Sequence, residues 1–244
     1  MAEHLVYTER VGGSSPSPPT SRRARASVAF ALTLAALGLL TPFVASAENT
    51  MRFRVEPLAT DRCGARCPHV IVADGVIEED TPQTFVDFLK SMSDDRKLRR
   101  IVFFNSRGGN VVASMVFGHI LRELKAAGVV GRFQGASDGP YVGECLSACV
   151  YAMMGAVRRV APSGSEVALH RMSIVESEGG GWGFQAHVTR SFADAPMVAI
   201  LKRYARGMGV NPALVTTAES LPPDTVHVLT RDEMRRWSFA RGKF

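Results

Sequence analysis

The sequence lacks the biases that mark unusual protein classes. It has no internal repeat, and only four cysteines and two tryptophans occur among its 244 residues. Its hydrophobic fraction of 46% and charged fraction of 21% are close to the averages for soluble globular proteins. These values exclude a collagen-like chain, a fully disordered chain and a membrane protein with several spans. A chain of this length has room for a large core, so disulfides are not needed to replace packing.

The positive charges lack the arrangement that nucleic-acid binding requires. The net charge of +6 raises the question of an anionic partner, so the placement of the charges matters. Beyond the N-terminal segment the basic residues are scattered over 96–100, 158–159 and 231–236. No aromatic residues lie among them as a platform for stacked bases. We interpret these residues as solvated faces and expect no nucleic-acid partner.

The first 47 residues have the pattern of a secretory signal. An arginine cluster at 22–25 precedes an uncharged apolar run at 28–44, and the small-x-small site Ala-Ser-Ala ends at Ala47. The run is on the short side of the ~20 residues that a membrane span needs. The sequence predicts cleavage after Ala47 and an exported protein, periplasmic or extracellular. The alternative is an uncleaved anchor at 28–44, which is the only membrane contact expected.

All four cysteines follow this signal, in two pairs with the spacing C-x-x-x-C: Cys63, Cys67, Cys145 and Cys149. An even count in an exported chain favours disulfides. A four-thiolate zinc site is the competing interpretation, although zinc sites more often use C-x-x-C knuckles. Connectivity cannot be deduced. A bridge between Cys145 and Cys149 across one regular helical turn would be strained, because the Cβ atoms must approach to ~4 Å. We expect disulfides, no metal and no other cofactor.

Strand and helix patterns alternate along residues 48–244 and predict a single α/β domain. Strands are predicted at 69–73, 101–104, 129–133, 157–160 and 167–170. Helices are predicted to begin at 81 and 211 and to cover 112–127, 146–155, 185–208 and 230–237. The continuous apolar run Ile101–Phe104 is typical of a strand buried on both faces of a parallel sheet. The alternating order of strands and helices indicates a mostly parallel sheet with right-handed crossovers.

Two loops carry the polar residues of most interest, because α/β sheets bind ligands at the carboxyl ends of their strands. The first, Asn105–Asn110, has paired glycines whose backbone N–H groups can hold an anion or a developing oxyanion. A plain strand-to-helix turn is the alternative. The loop lacks the Lys-Ser/Thr ending of a phosphate loop.

The second loop, Gly143–Cys149, places Ser147 where a helix begins. A serine there is commonly an N-cap, but with a base nearby it becomes a nucleophile. It is not a G-x-S-x-G elbow, since cysteines take the flanking positions. The candidate base is His170, because it ends an apolar strand, whereas His119 and His187 fall inside predicted helices and His69 precedes a strand.

This order of motifs resembles the Clp protease proteolytic subunit and its relatives, including the signal peptide peptidase A group, in the ClpP/crotonase superfamily. The resemblance covers Ile101–Arg171: an N-S-x-G-G loop at 105–109, a nucleophile segment at 145–155 and a V-A-P-x-A…H stretch at 160–170. Arg107 stands where proline is usual. More narrowly, the sequence is similar to exported Clp-like proteins with a C-x-S-A-C motif.

The resemblance implies a repeated βαβ spiral and a serine peptidase without a cofactor. Ser147 would be the nucleophile and His170 the general base. The oxyanion hole would be backbone N–H groups of Gly108 or Gly109 and of Ala148. The nearest acid for a third member is Asp224, about two residues early in register, so a turn-forming Asp224 and a serine–histidine dyad stay open. Ring assembly through the helix predicted at 185–208 would give a homo-oligomer.

Three functions follow as alternatives. The first is an exported serine peptidase acting on peptides or proteins. The second is a catalytically inactive relative that binds a peptide or a partner in the same groove. The third is a crotonase-type acyl-CoA enzyme, which export and the lack of a glutamate pair in the cleft loops oppose. The glycine-rich segment Gly179–Gly183 is either a lid or an exposed loop.

Overall fold

The strands of the main sheet are formed by the short apolar runs of the sequence. A computed structural model of the protein describes residues 50–58, 66–133, 141–178 and 187–241. The strands within these ranges are β1 (Arg52–Pro57), β2 (His69–Asp74), β3 (Leu98–Asn105), β4 (Ala127–Val130), β5 (Glu144–Leu146), β6 (Arg158–Val160), β7 (Glu166–Leu169), β8 (Ser173–Glu178), β9 (His187–Phe192) and β10 (His227–Val228). The helices are α1 (Thr81–Ser91), α2 (Val111–Glu123), α3 (Ala148–Met154), α4 (Ala195–Gly207), α5 (Ala213–Ser220) and α6 (Arg231–Arg236).

The main sheet has five strands in the order β1-β2-β3-β4-β6. The first pair is antiparallel and the other three pairs are parallel. This confirms the prediction of a mixed α/β protein with a mostly parallel sheet. Because parallel neighbours end at the same edge, the loop after β3 is brought to the edge where a ligand site is expected.

Both faces of this sheet are buried, as the continuous apolar runs predict. Phe104 packs into the larger core cluster with Phe85 and Phe117, whose ring centroids are 4.8 Å apart. Its neighbour Phe103 points to the opposite face, where it meets Phe133 with centroids 5.1 Å apart. Burying each of these rings contributes roughly 1.5–3 kcal/mol of transfer free energy. The apolar core therefore holds β3, and the loop that follows it, in place.

A second, three-stranded sheet in the order β10-β7-β5 carries the other two segments of the candidate site. Strands β5 and β7 are parallel, with Cys145 opposite Val167, and β10 is antiparallel to β7. Strands β8 and β9 form a separate antiparallel hairpin. The segment Gly179–Gly183 lies outside the described residues.

The long helix predicted at 185–208 is wrong in its first part. Residues 187–192 form β9, and the helix covers only Ala195–Gly207. The helix begins there because the Asp194 side chain accepts a hydrogen bond from the Met197 N–H, and Pro196 occupies the first turn. Asp194 is thus the N-cap of α4.

The helix predicted at 112–127 also ends early, at Glu123. Lys125 adopts a φ of 51°, which stops the helix and turns the chain into β4. Gly128 is inside that strand, where a Cβ would lie 3.1 Å from the Ala156 Cβ. By contrast, the helix predicted to begin after Thr230 is confirmed with its capping box to Glu233.

No helix within the described ranges is long and apolar enough to cross a membrane. The apolar run at 28–44 lies outside those ranges, so the signal, its cleavage after Ala47 and the alternative anchor stay predictions.

Candidate active site

Ser147 occupies a sharp turn between β5 and α3. Its φ of 53° and ψ of −121° are rare for a residue other than glycine. Such a conformation costs ~1–3 kcal/mol and persists where the surroundings enforce it. Ser147 stands at the N-cap position of α3, but its side chain makes no capping hydrogen bond. The half-buried hydroxyl is therefore not used for the structural role that serine most often has at this position.

The cysteines on either side of Ser147 form a disulfide, with Cα atoms 5.2 Å apart. The expectation that such a bridge would be strained rested on both cysteines lying in one helix, which is wrong. Cys145 belongs to β5, and α3 begins only at Ala148. The reversal of the chain at Ser147 brings Cys145 and Cys149 together. Cys67 is also disulfide-bonded, while Cys63 lies outside the described residues.

The glycine loop after β3 packs directly against this turn. Gly108 has a φ of 103°, and a Cβ on it would lie 2.8 Å from the Ala148 nitrogen. Gly109 has a φ of 132°, and a Cβ there would lie 2.1 Å from the Ile77 carbonyl oxygen. Ser106 fixes the loop to β5: its N–H donates to the Glu144 carbonyl, and its carbonyl accepts from the Leu146 N–H. Glycine is therefore required at 108 for the loop to approach Ser147, and at 109 for the loop to approach Ile77.

His170 follows the last residue of β7, the strand paired with β5. The Ser147 N–H donates to the Ala168 carbonyl at 2.9 Å, so the serine turn is bonded to the strand that leads to the histidine. The His170 Nδ1 contacts the Arg171 carbonyl oxygen at 2.8 Å. Because a carbonyl oxygen only accepts, Nδ1 carries the hydrogen, and the lone pair of the neutral ring is on Nε2.

The three segments meet at one cavity of about 250 Å³. Its lining includes Gly109 of the glycine loop, Ser147 of the turn and His170 of the strand end. The rest of the lining consists of Arg107, Val111, Tyr151, Leu169, Met172, Ser173 and Ala218. The lining is thus a mixture of polar and apolar residues, with the Ser147 hydroxyl, the His170 imidazole and the Gly109 backbone together in it. Gly108 and Ala148 are not in the lining, although Ala148 follows Ser147 directly.

Asp224 has a different partner. Its exposed carboxylate pairs with the Arg190 guanidinium at 2.5 Å, and its own φ is 64°. The His170 Nδ1 makes its contact with the Arg171 carbonyl instead. These contacts match the alternative in which Asp224 forms a turn after two prolines.

A different acid, Glu219 on α5, lies near His170 and was missed from the sequence. One carboxylate oxygen, Oε1, accepts a 3.4 Å hydrogen bond from the Met172 N–H, and Oε2 is buried without a hydrogen-bond partner in the described structure. Burial raises the pKa of Glu219, against the opposing effects of the Met172 N–H and of Arg171 and His170. Burial, and after it the charge of Glu219, also raise the pKa of Tyr151 in the cavity wall.

One signal in the sequence could have pointed to Glu219. It is an acid next to the buried Ala218, on a helix of mostly small and apolar residues. Its proximity to His170 comes from the packing of α5, which spacing along the chain does not reveal. Two of the remaining histidines have acidic partners elsewhere, His69 with Asp95 and His227 with Glu233. Within the described ranges no three His, Cys, Asp or Glu side chains form a group that could hold a metal ion.

Comparisons with known proteins give a distant likeness to solved structures. No protein-family model matches the chain, and no curated protein does. The chain is similar to a serine-to-alanine mutant of the 1510-N membrane-bound stomatin-specific protease, with 15% identity over 70% of this chain and 75% of that chain and a TM-score of 0.44. A second similar structure is a lysine-to-alanine mutant of the same protease with a substrate peptide, with 15% identity, 70% and 71% coverage and a TM-score of 0.44. Likeness at this level carries no argument about activity.

Proposed function

We propose that this protein is an exported serine peptidase of the ClpP/crotonase type, built on that superfamily's βαβ spiral. The observation that carries the proposal is the common cavity of Ser147, His170 and Gly109, which come from three separate segments. A serine hydroxyl, a base and backbone N–H donors at one cavity are the parts that acyl transfer requires.

In the proposed reaction, His170 Nε2 accepts the proton of Ser147 Oγ as the oxygen attacks the scissile carbonyl. The tetrahedral oxyanion is held by the N–H groups of Gly109 and Ala148. Gly108 is less suited to this role, because its N–H donates to Ser106 Oγ at 3.2 Å. Each donor of this kind contributes ~3 kcal/mol to transition-state stabilisation. His170 then protonates the leaving amine, and water hydrolyses the acyl-enzyme by the reverse use of the same groups.

Glu219 takes the acidic role that the sequence offered to Asp224. Its buried carboxylate acts on His170 through charge rather than through a direct hydrogen bond, because Nδ1 is bound to the Arg171 carbonyl. A negative charge near the ring favours the imidazolium that forms as Ser147 is deprotonated. Glu219 is therefore a positioning and electrostatic residue in this proposal.

The cavity suggests the part of a peptide that binds next to the cleaved bond. Val111, Leu169 and Met172 give it apolar walls, and the volume suits one apolar side chain. The proposed substrate is a peptide or protein met outside the cytoplasm, where the Cys145–Cys149 disulfide is also stable. Assembly into a homo-oligomer through α4 remains part of the proposal.

A fluorophosphonate probe tests this function. We expect the purified protein to be labelled at Ser147 and Ser147→Ala to abolish labelling. Ser173→Ala is the matched control, because Ser173 lines the same cavity and its loss is expected to leave labelling intact. Folded protein that is never labelled would overturn the proposal and favour the catalytically inactive, peptide-binding alternative.

A further inference from the structure

The disulfide around Ser147 is a feature that the proposed reaction does not use. Cys145 is the middle residue of β5 and Cys149 is the second residue of α3, so the bond spans the turn with Ser147 at its centre. Both cysteines are completely buried. The bond therefore joins the two elements that meet at one functional residue, and it does so inside the core.

Cys145 is also the residue to which the other segments of the site are attached. On one side its backbone pairs with Ser106, in the loop that leads to Gly109. On the other side it pairs with Val167 of β7, the strand that ends before His170. The disulfide adds the start of α3 to these two connections. All three segments of the candidate site are thus fixed relative to one residue.

The conformation of Ser147 needs such a restraint. A serine with a φ of 53° and a ψ of −121° relaxes to an ordinary conformation unless its neighbours prevent it. No capping bond from its own side chain holds the turn. The hydrogen bond from the Ser147 N–H to the Ala168 carbonyl fixes one side of the turn. The disulfide joins the residues two before and two after Ser147, and it restricts the rest of the turn.

We propose that the Cys145–Cys149 disulfide is a positioning device for the nucleophile. It holds Ser147 in the positive-φ turn, so that Ser147 stays in the cavity wall and the N–H of Ala148 stays directly behind it at the start of α3. The inference rests on the proposed function for its kinetic consequence, whereas its structural consequence, the conformation of residue 147, is independent of activity.

The test compares the Cys145→Ala/Cys149→Ala variant with two matched controls. Cys63→Ala/Cys67→Ala removes the other two cysteines, and Val150→Ala removes buried volume from α3 without touching the bond. Two quantities are measured for each folded variant: the maximal rate of fluorophosphonate labelling and the probe concentration that gives half of it. A crystal structure of the double variant gives the φ of residue 147.

We expect Cys145→Ala/Cys149→Ala to lose at least about ten-fold in maximal labelling rate, since misplacing a reacting group by ~1 Å can cost more than that. The half-saturating probe concentration should change little, and residue 147 should leave the positive-φ region. Val150→Ala should lower the melting temperature but keep the maximal rate, and Cys63→Ala/Cys67→Ala should keep it as well. If the alanine pair does not fold, Cys145→Val/Cys149→Ala, which restores buried volume, is expected to show the same losses.

A double variant that keeps both the maximal labelling rate and the positive φ of residue 147 would overturn the inference, and the bond would be a staple for stability alone. Wild-type protein that is never labelled would instead overturn the proposed function. In that case a change in the φ of residue 147 on loss of the bond still supports the positioning role, and an unchanged φ still contradicts it.

Discussion

At the scale of single residues, the candidate site depends on backbone torsion angles as much as on side chains. Ser147, Gly108 and Gly109 all have positive φ, and the first of these is not a glycine. The sequence indicates the two glycines and a serine at a helix start. It does not indicate the conformation of Ser147, because that conformation is enforced by β5, β7 and α3 together. The sequence predicts disulfides but leaves their connectivity open, because the turn at Ser147 that brings Cys145 and Cys149 together is not evident from it.

The pair Gly108 and Gly207 tests the role of the glycine loop. We expect Gly108→Ala to lower the free energy of unfolding by more than ~1 kcal/mol, because alanine is strained at a φ of 103° and its Cβ would lie 2.7 Å from the Leu146 carbonyl oxygen. Labelling of Ser147 should be lost with it. A Cβ at position 207 would meet nothing within 4 Å, so Gly207→Ala should raise the free energy of unfolding by up to ~1 kcal/mol. Labelling should be unchanged. Wild-type labelling and stability in Gly108→Ala would contradict the account.

Glu219→Gln separates stability from activity. Burial raises the pKa of Glu219, so the folded protein loses stability as the pH rises from the ordinary value of 4.5 through the raised value. Glutamine retains the acceptor for the Met172 N–H and removes the charge. We expect a higher melting temperature than wild type at pH 7, no difference below pH 4.5, and labelling slower by roughly ten- to a hundred-fold.

Asp224→Asn is the matched control for this prediction. It removes an acid that pairs with Arg190 on the surface, so labelling should stay at the wild-type rate. Slow labelling in Asp224→Asn together with wild-type labelling in Glu219→Gln would return the acidic role to Asp224.

At the scale of secondary-structure elements, the helix ends show where sequence reasoning succeeds. Local signals such as the Thr230–Glu233 capping box predict α6, because the hydrogen bonds involved lie within one turn. The first half of the helix predicted at 185–208 is wrong, because residues 187–192 form a strand that pairs with β8. No local sequence signal indicates this pairing. The start signal of α4 at Asp194 and Pro196 was present in the sequence but was placed inside a longer helix.

Arg159 joins the C-terminal ends of helices, so its interpretation as part of a solvated face is wrong. Its guanidinium donates to the carbonyl oxygens of Met154, Ala156 and Met208, and also to those of Ser238 and Phe239. The carbonyls at the end of a helix lack partners within the helix and favour a nearby cation. Burial, and after it repulsion by Arg122, lowers the pKa of Arg159 to about 10.

We expect Arg159→Met to lower the free energy of unfolding by about 3 kcal/mol, because the carbonyls of Ala156, Ser238 and Phe239 lose their guanidinium donor, whereas those of Met154 and Met208 keep a donor in Arg122. Arg159→Lys should recover part of this, since lysine retains the charge but not the planar set of donors. The exposed Arg236→Ala is the control and should change stability by less than ~0.5 kcal/mol. Urea denaturation measures all three, and equal stability of Arg159→Met and Arg236→Ala would refute the role assigned to Arg159.

At the scale of the whole molecule, topology assembles the site from distant parts of the chain. That β2, β3 and β4 are strands of a mostly parallel sheet was predictable from buried apolar runs, and so was the position of the loop after β3. The second sheet was not, because its strands are only two to four residues long. Yet that sheet brings the strand before Ser147 beside the strand before His170. The sequence therefore predicts the parts of the site, and the short sheet explains how they meet.

The central claim is that Ser147, His170 and the amides of Gly109 and Ala148 act together on one scissile peptide bond. The crystal structure of the fluorophosphonate-treated protein tests it most directly. We predict phosphorus bonded to Ser147 Oγ, its phosphoryl oxygen within hydrogen-bond distance of the Gly109 and Ala148 N–H groups, and His170 Nε2 beside the adduct. An adduct on another residue, or a phosphoryl oxygen that points away from both amides into solvent, would contradict the account.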